Sequence, residues 1–370
     1  MRIAFISPFV YKLKRGIEKF TTQLSNKLVE FNKNLEVTIL TWQEKRPRWI
    51  DRLHDRVKIC MVPYVRYYRS KAAIPFYVFN FLKWRYDIVN IFFAGYGESE
   101  ALAFLSLVKR QQFNIIFQYP YSQAPHRYME FNRFNIIHDS DRIISPSKFV
   151  AEGVKEFCGR ESDIIYNGFD RDAFYPDDEL RRKTRSELGF SESDKVILTI
   201  AAFEERKGIQ KVIKAMPLLN KKIKNVKYVI LGTGPFEPQL KNIVKNLNLD
   251  RQVIFAGVKN NPLPFYCMAD LFLLLSYGEG MPLVILSAMG CQLPVIVSNR
   301  RPFDEIVKEG TGCLIDDENP EDVSATIANL LLNDDLRKQI GRRARSYAVD
   351  NFCINKTARE YMRLFESQLR

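Results

Sequence analysis

The chain has 370 residues, 46% of them hydrophobic, and a formal net charge of +13. That length exceeds one typical domain and supplies apolar residues for two cores, while the positive balance fits an anionic substrate, nucleic acid or an anionic membrane surface. The six cysteines, at 60, 158, 267, 291, 313 and 353, form no metal-like pair, the N-terminus lacks an apolar signal segment, and no apolar run reaches ~18 residues, so a reduced, cytosolic setting without a transmembrane helix is expected.

Residues 2–5 read as a short strand ending at Ser7-Pro8, followed by a basic loop that runs from Tyr11 to Gly16. Over 17–31 the apolar residues Phe20, Leu24, Leu28 and Phe31 recur every three to four positions, the spacing of a helix face. Residues 35–40 form the next strand. This alternation predicts a parallel sheet with crossover helices. The loop at 8–16 then lies at the strand C-terminal edge, where open α/β sheets bind ligands. Residues 45–85 break the rhythm, mixing Trp49, Tyr64, Tyr67, Tyr68, Tyr77 and Trp84 with many Arg and Lys. Residues 1–90 hold 18 Lys and Arg against 7 Asp and Glu, so +11 of the net charge falls there. Such a segment anchors a peripheral protein on anionic lipid, stacks on nucleic-acid bases, or is core aromatics beside an ordinary basic surface.

Further strands are expected at 87–92, 114–118, 142–144 and 163–166, with helices at 99–109 and 147–157. Asp139-Ser140-Asp141 has the spacing of a divalent-metal pair and His138 adjoins it. Asp141 reads better as the start of the strand at 142–144, so no metal is expected. Residues 169–176 are a plausible inter-domain stretch, and 181–188 a short charged helix.

A second α/β series starts with a strand at 195–201. Its loop, Phe203-Glu204-Glu205-Arg206-Lys207-Gly208, sets Lys207 just before a helix at 209–219, a phosphate site by charge and dipole. A strand at 227–231 ends in Gly232-Thr233-Gly234-Pro235, which lacks the third glycine and later acid of a dinucleotide fingerprint. A helix at 236–247, a strand at 253–255 and a helix at 263–268 lead to an apolar strand at 271–275. After it, Gly278, Gly280 and Pro282 mark a tight turn and a helix start, and apolar residues recur with helical spacing over 283–289. Helix N-termini favour anions. Glu279, in the turn, either accepts hydrogen bonds from hydroxyls or faces solvent. A strand at 293–297, a tight turn at 309–312, a strand at 313–315, helices at 322–332 and 335–347, and an amphipathic segment at 357–369 complete the chain.

Taken in order, Ile165-Tyr166-Asn167-Gly168-Phe169-Asp170, Lys207-Gly208, Leu231-Gly232-Thr233-Gly234-Pro235, Phe255-Ala256-Gly257-Val258, Ala269-Asp270-Leu271, Glu279-Gly280-Met281-Pro282-Leu283-Val284, Pro294-Val295-Ile296, Glu305-Ile306-Val307 and Gly310-Thr311-Gly312 form an ordered series. The series resembles that of the GT-B glycosyltransferases of retaining family four, and Gly16-Ile17-Glu18 resembles the family's N-terminal glycine loop. The resemblance implies an α/β GT-B fold, two Rossmann-like domains facing a central cleft. Residues 1–170 become an acceptor-binding domain, 171–350 a nucleotide-sugar-binding domain, and 351–370 a helix packing back towards the first. It implies a metal-independent hexosyltransferase-like enzyme with no cofactor. That enzyme moves a sugar from a nucleotide-diphosphate sugar to a saccharide or lipid-linked saccharide, in cytoplasmic polysaccharide biosynthesis at the inner face of the membrane. Glu279 and Lys207 take the catalytic roles, with Gly16, Arg206, Gly234, Gly280, Met281, Pro282, Leu283 and Ser287 around the donor. Nucleic acid is not an expected partner, since no complete nucleic-acid module is present.

The chain also departs from the family pattern. Ser287 stands where a second glutamate is usual, Ala201 and Ala202 where an arginine precedes the lysine, Tyr119 where a histidine often follows the strand, and Arg300-Arg301 near an expected glycine pair. Two readings follow. In one, Arg206, Arg300 or Arg301 supplies the missing cation, for which a guanidinium is well shaped, and Ser287 holds the ribose. In the other, the protein is a degenerate relative that binds a glycan or partner without turnover.

Overall fold

Runs such as Ile3-Ala4-Phe5-Ile6 and Val196-Ile197-Leu198 are apolar at successive positions and buried throughout, as strands covered on both faces must be, and they form the centres of two parallel sheets. A computed structural model describes residues 1–7, 16–42, 53–62, 85–92, 114–118 and 140–369. The chain divides into two units, Met1–Gly168 with Ile354–Arg370, and Phe169–Cys353. The basic loop before Gly16, most of 45–85, the helix expected at 99–109, Tyr119, and His138 with Asp139 lie outside the described residues.

The first unit contains β1 (Arg2–Ile6), α1 (Gly16–Phe31), β2 (Glu36–Trp42), β3 (Val57–Val62), β4 (Ile88–Phe92), β5 (Asn114–Gln118), β6 (Arg142–Ser145), α2 (Lys148–Cys158) and β7 (Asp163–Ile164). Its strands lie in the order β3-β2-β1-β4-β5-β6-β7, all parallel. Of the helix face read from the sequence, Phe20, Leu24 and Leu28 are buried, with Phe20 edge-on to Phe92 at 6.2 Å, whereas Phe31, in the last turn, is 44% exposed. The hydroxyl of Ser147 caps α2 by accepting from the Val150 N–H (3.2 Å), and Gly159 closes that helix in the left-handed region. The sequence reading did not include β3. It is an edge strand, and its exposed Lys58 pairs with Glu36 of β2 (3.4 Å).

The second unit contains α3 (Asp178–Glu187), β8 (Lys195–Ile200), α4 (Ile209–Lys222), β9 (Val226–Leu231), α5 (Glu237–Asn246), β10 (Val253–Phe255), α6 (Leu263–Met268), β11 (Leu271–Leu274), α7 (Leu283–Gly290), β12 (Val295–Ser298), α8 (Phe303–Ile306), β13 (Gly312–Ile315), α9 (Pro320–Leu332) and α10 (Asp334–Phe352). The strand order is β10-β9-β8-β11-β12-β13, again parallel. The connections run outward in one direction from β8 and in the other from β11. The carboxyl ends of that adjacent pair are therefore the topological switch point, where sheets of this kind open a crevice.

Ion pairs hold α3 at the opposite, amino end of these two strands. Asp270, at the start of β11, accepts from Arg181 Nη2 (2.7 Å), Arg185 Nη2 (2.8 Å) and the Val196 N–H (2.7 Å). The same two arginines cap the end of α6, through the Ala269 carbonyl (2.7 Å, Arg181) and the Met268 carbonyl (2.9 Å, Arg185). Helix α7 is buried from Ile285 to Gly290, which explains its apolar residues on every side. The single turn α8 is too short to leave a periodic signal.

The final helix, α11 (Ile354–Gln368), belongs to the first unit. Its apolar stripe sets Tyr361 6.4 Å from Phe20 and Phe365 6.3 Å from Phe5, and Thr357 Oγ1 donates to the Tyr166 carbonyl (2.9 Å).

Candidate active site

Two loops meet at the carboxyl ends of β8 and β11. After β8, Phe203 turns into the core, and Glu205–Lys207 form one tight helical turn closed by Gly208 at φ 68°. A Cβ at position 208 would lie 1.7 Å from the Leu275 carbonyl oxygen, so only glycine lets the start of α4 press against the end of β11. The Tyr277 N–H then donates to the Arg206 carbonyl (3.0 Å), tying the two loops together.

This contact brings Arg206, Lys207 and Glu279 into one cluster. Glu279 is 8% exposed. Its Oε1 accepts from Lys207 Nζ and from the Ser276 hydroxyl (2.5 Å), and Arg206 Nη1 lies 3.6 Å away. Arg206 is oriented by two further contacts, from Nε to Glu204 (2.7 Å) and from Nη1 to the Gly278 carbonyl (3.3 Å). Burial pushes the Glu279 carboxyl up, but Lys207 and Arg206 outweigh it and hold the group below its ordinary value. Glu279 is thus an anion fixed on two cations. Gly280, Met281 and Pro282 carry the chain, buried, from this carboxylate to the first turn of α7, which begins at Leu283.

The remaining sequence candidates lie around this cluster or apart from it. Gly234, in the loop after β9, approaches the backbone of Phe203 so closely that a Cβ would stand 2.4 Å from its carbonyl oxygen. Ser287 lies in the second turn of α7, buried, close to Tyr266, whose hydroxyl donates to the Val284 carbonyl (3.2 Å). Gly16 opens α1 in the other unit and is exposed. Arg300 is engaged by Glu318 (2.5 Å) and by Asp317 (3.6 Å), which also takes Lys211 (2.8 Å) and Ser298 (3.0 Å). Arg301 lies 3.9 Å from Glu305. Of the three arginines weighed from the sequence, Arg206 is the one found beside Glu279. Ser276 and Glu204 were not singled out in the sequence. Their only signal is proximity, three residues before Glu279 and two before Arg206. Among the described residues no group of three or more His, Cys, Asp or Glu could hold a metal ion, and no helix is long and apolar enough to cross a membrane.

The family profile described as Glycosyl transferases group 1 matches residues 181–347, and that described as Glycosyltransferase Family 4 matches residues 14–173. The chain belongs to the GT-B glycosyltransferases. In this GT-B chain the whole Glu279 cluster falls inside the first match and Gly16 inside the second. The chain is 30% identical over 237 residues to the N-acetyl-alpha-D-glucosaminyl L-malate synthase of Bacillus anthracis, covering 63% of this chain and 61% of that protein. It is 28% identical over 227 residues to the GDP-mannose-dependent alpha-(1-6)-phosphatidylinositol monomannoside mannosyltransferase of Mycolicibacterium smegmatis, covering 58% and 59%. The matched part is thus about three fifths of the length of each relative. Among solved structures, sucrose-phosphate synthase from Thermosynechococcus elongatus shares the fold at a TM-score of 0.84 and 18% identity, over 100% of this chain and 99% of that one.

Proposed function

We propose that this GT-B chain is a retaining glycosyltransferase that moves a sugar from a nucleoside-diphosphate sugar to a saccharide or lipid-linked saccharide. The observation that carries the reading is the Lys207–Arg206–Glu279 cluster at the switch point of the second sheet. The donor binds the second unit. Lys207 and Arg206 face its diphosphate, and Glu279 faces the sugar hydroxyls. Gly234 and the segment Gly280 to Leu283 bring backbone close to the ligand, and Ser287 contacts the ribose. The acceptor binds the first unit, where Gly16 opens α1.

In the reaction the bond between the anomeric carbon and the diphosphate oxygen breaks, and a bond to an acceptor hydroxyl oxygen forms on the same face. The acceptor proton leaves with the departing phosphate. Negative charge grows on the diphosphate, and fixed cations stabilise it without reorganising. Positive charge grows near the anomeric carbon, and the anionic Glu279 favours it. Among the described residues, none is assigned as a covalent nucleophile. The mycobacterial relative, named for GDP-mannose and a phosphatidylinositol monomannoside, supports the substrate classes. The enzyme works at the cytoplasmic face of a membrane, held there by the basic, aromatic stretch at 45–85.

Paired kinetics and titrations test the reading. Lys207→Ala should weaken nucleoside-diphosphate binding more than nucleoside binding. Glu279→Gln should cut transfer by about a hundredfold or more, since it removes charge that acts on the transition state. Equal loss of diphosphate and nucleoside affinity in Lys207→Ala, or full transfer by Glu279→Gln, would refute these roles.

A further inference from the structure

The carboxylate that the proposed function aims at the sugar sits on the two cations aimed at the diphosphate. Lys207 Nζ and the Ser276 hydroxyl both donate to Glu279 Oε1, and Arg206 Nη1 stands 3.6 Å from the same oxygen. The side chains of Lys207 and Glu279 are 13% and 10% exposed, so little solvent reaches the pair. Arg206 is further shared with Glu204. Among the described residues, Lys207 and Arg206 are therefore each already engaged by a carboxylate, and an incoming anion must compete for them.

We infer that Glu279 is an internal competitor for the anion site, and that a diphosphate binds by exchange, taking Lys207 and Arg206 from Glu279 as the carboxylate turns to the sugar hydroxyls. The inference rests on the reading of this cluster as a donor site and adds how the site is regulated. Two consequences follow. A nucleoside diphosphate lacking the sugar binds weakly, because taking the cations costs Glu279 its ion pairs and leaves Oε1 the Ser276 hydroxyl in their place; this favours product release. A complete donor binds better, because its hydroxyls satisfy the displaced carboxylate.

Inorganic pyrophosphate is the probe that separates the exchange from nucleotide recognition. Calorimetric titrations of the full chain with pyrophosphate and with UDP and GDP should be run on wild type, Glu279→Gln, Glu279→Ala, Lys207→Ala and the Glu279→Gln/Lys207→Ala double variant. Thermal melting confirms that each is folded, and the two substitutions at 279 guard against a local defect in either. The exchange predicts that both 279 variants bind pyrophosphate about tenfold or more tightly than wild type. It also predicts that Lys207→Ala weakens pyrophosphate binding more in the Glu279→Gln background than alone, since only there is the lysine released. Unchanged or weaker pyrophosphate binding in both 279 variants, or strictly additive effects, overturns the exchange. Tighter pyrophosphate binding with no binding of UDP or GDP to any variant keeps the exchange and overturns the nucleotide reading instead.

Discussion

Removing the carboxylate of Asp270 tests how the second unit is held together at the end of its sheet opposite the candidate site. Asp270 is 5% exposed and accepts from Arg185, Arg181 and the Val196 N–H at 2.7 to 2.8 Å. Burial pushes the Arg185 guanidinium down from its ordinary value, against the pull of Asp270, so this cation is held in an environment that disfavours it. Breaking a buried ion pair from one side costs roughly 3–5 kcal/mol. The lower end applies to Asp270→Ala, because Arg185 keeps the Met268 and Asp194 carbonyls, and Arg181 is partly solvated with its own carbonyl acceptors. The orphaned Val196 N–H adds about 1 kcal/mol, for a total of about 4 kcal/mol. The three tryptophans, Trp42, Trp49 and Trp84, all precede the second unit in the chain. Urea unfolding should therefore be followed by far-UV circular dichroism and by hydrogen exchange of the β8 and β11 amides, with tryptophan fluorescence reporting the first unit. Arg185→Met added to Asp270→Ala should restore part of the loss, because it removes the stranded charge. A cost below about 1 kcal/mol for Asp270→Ala, or a double variant whose loss is the sum of the single losses, would refute the reasoning.

Three other outcomes are expected. Ser287→Ala should weaken nucleotide binding by about 0.5–1.5 kcal/mol if its hydroxyl reaches the ribose, and unchanged affinity by calorimetry would leave only the Tyr266 contact to that residue. Asp334, at the start of α10, is held down to about 2 by Lys195 and Arg337. Its folded value lies below the ordinary one, so it stabilises the fold above pH ~4 and that contribution is lost as pH falls through about 2. Asp334→Asn should accordingly flatten the fall in melting temperature between pH ~4 and ~2, and an unchanged slope would count against the pairing. Anionic vesicles should co-sediment the protein at low salt and release it at high salt, where screening is stronger; no binding at low salt would remove the membrane proposal.

Much of the second unit was legible in the sequence because its signals are local. The strand β11 is a continuous apolar run, Lys207-Gly208 stands directly before a helix, and the glycines and Pro282 mark the turn into α7. The bond between those two loops was not legible. It depends on Gly208 pressing against Leu275, residues far apart in the chain, and on parallel strands that only the folded sheet makes adjacent. The choice among Arg206, Arg300 and Arg301 had the same obstacle, since three equal charges differ only in which loop each one faces. The strand β3 lies within the stretch 45–85, whose basic and aromatic residues obscure the strand rhythm, and α8 is hidden by its single turn. The end of α10 lay beyond the reading at residue 347 because Tyr347 to Phe352 carry mixed residues that continue the helix through packing rather than periodicity.

The central claim is that the Lys207–Arg206–Glu279 cluster serves sugar transfer from a nucleoside-diphosphate donor. The most direct measurement incubates the full chain with a panel of UDP- and GDP-sugars and saccharide or lipid-linked acceptors, with a chelator present, and follows release of the free nucleoside diphosphate together with the glycosylated product. At least one donor should be turned over by the wild type, with Lys207→Ala and Glu279→Gln strongly impaired on the same donor. Binding of a glycan without turnover of any donor, or equal rates in wild type and both variants, would contradict the account and favour a degenerate, non-catalytic relative.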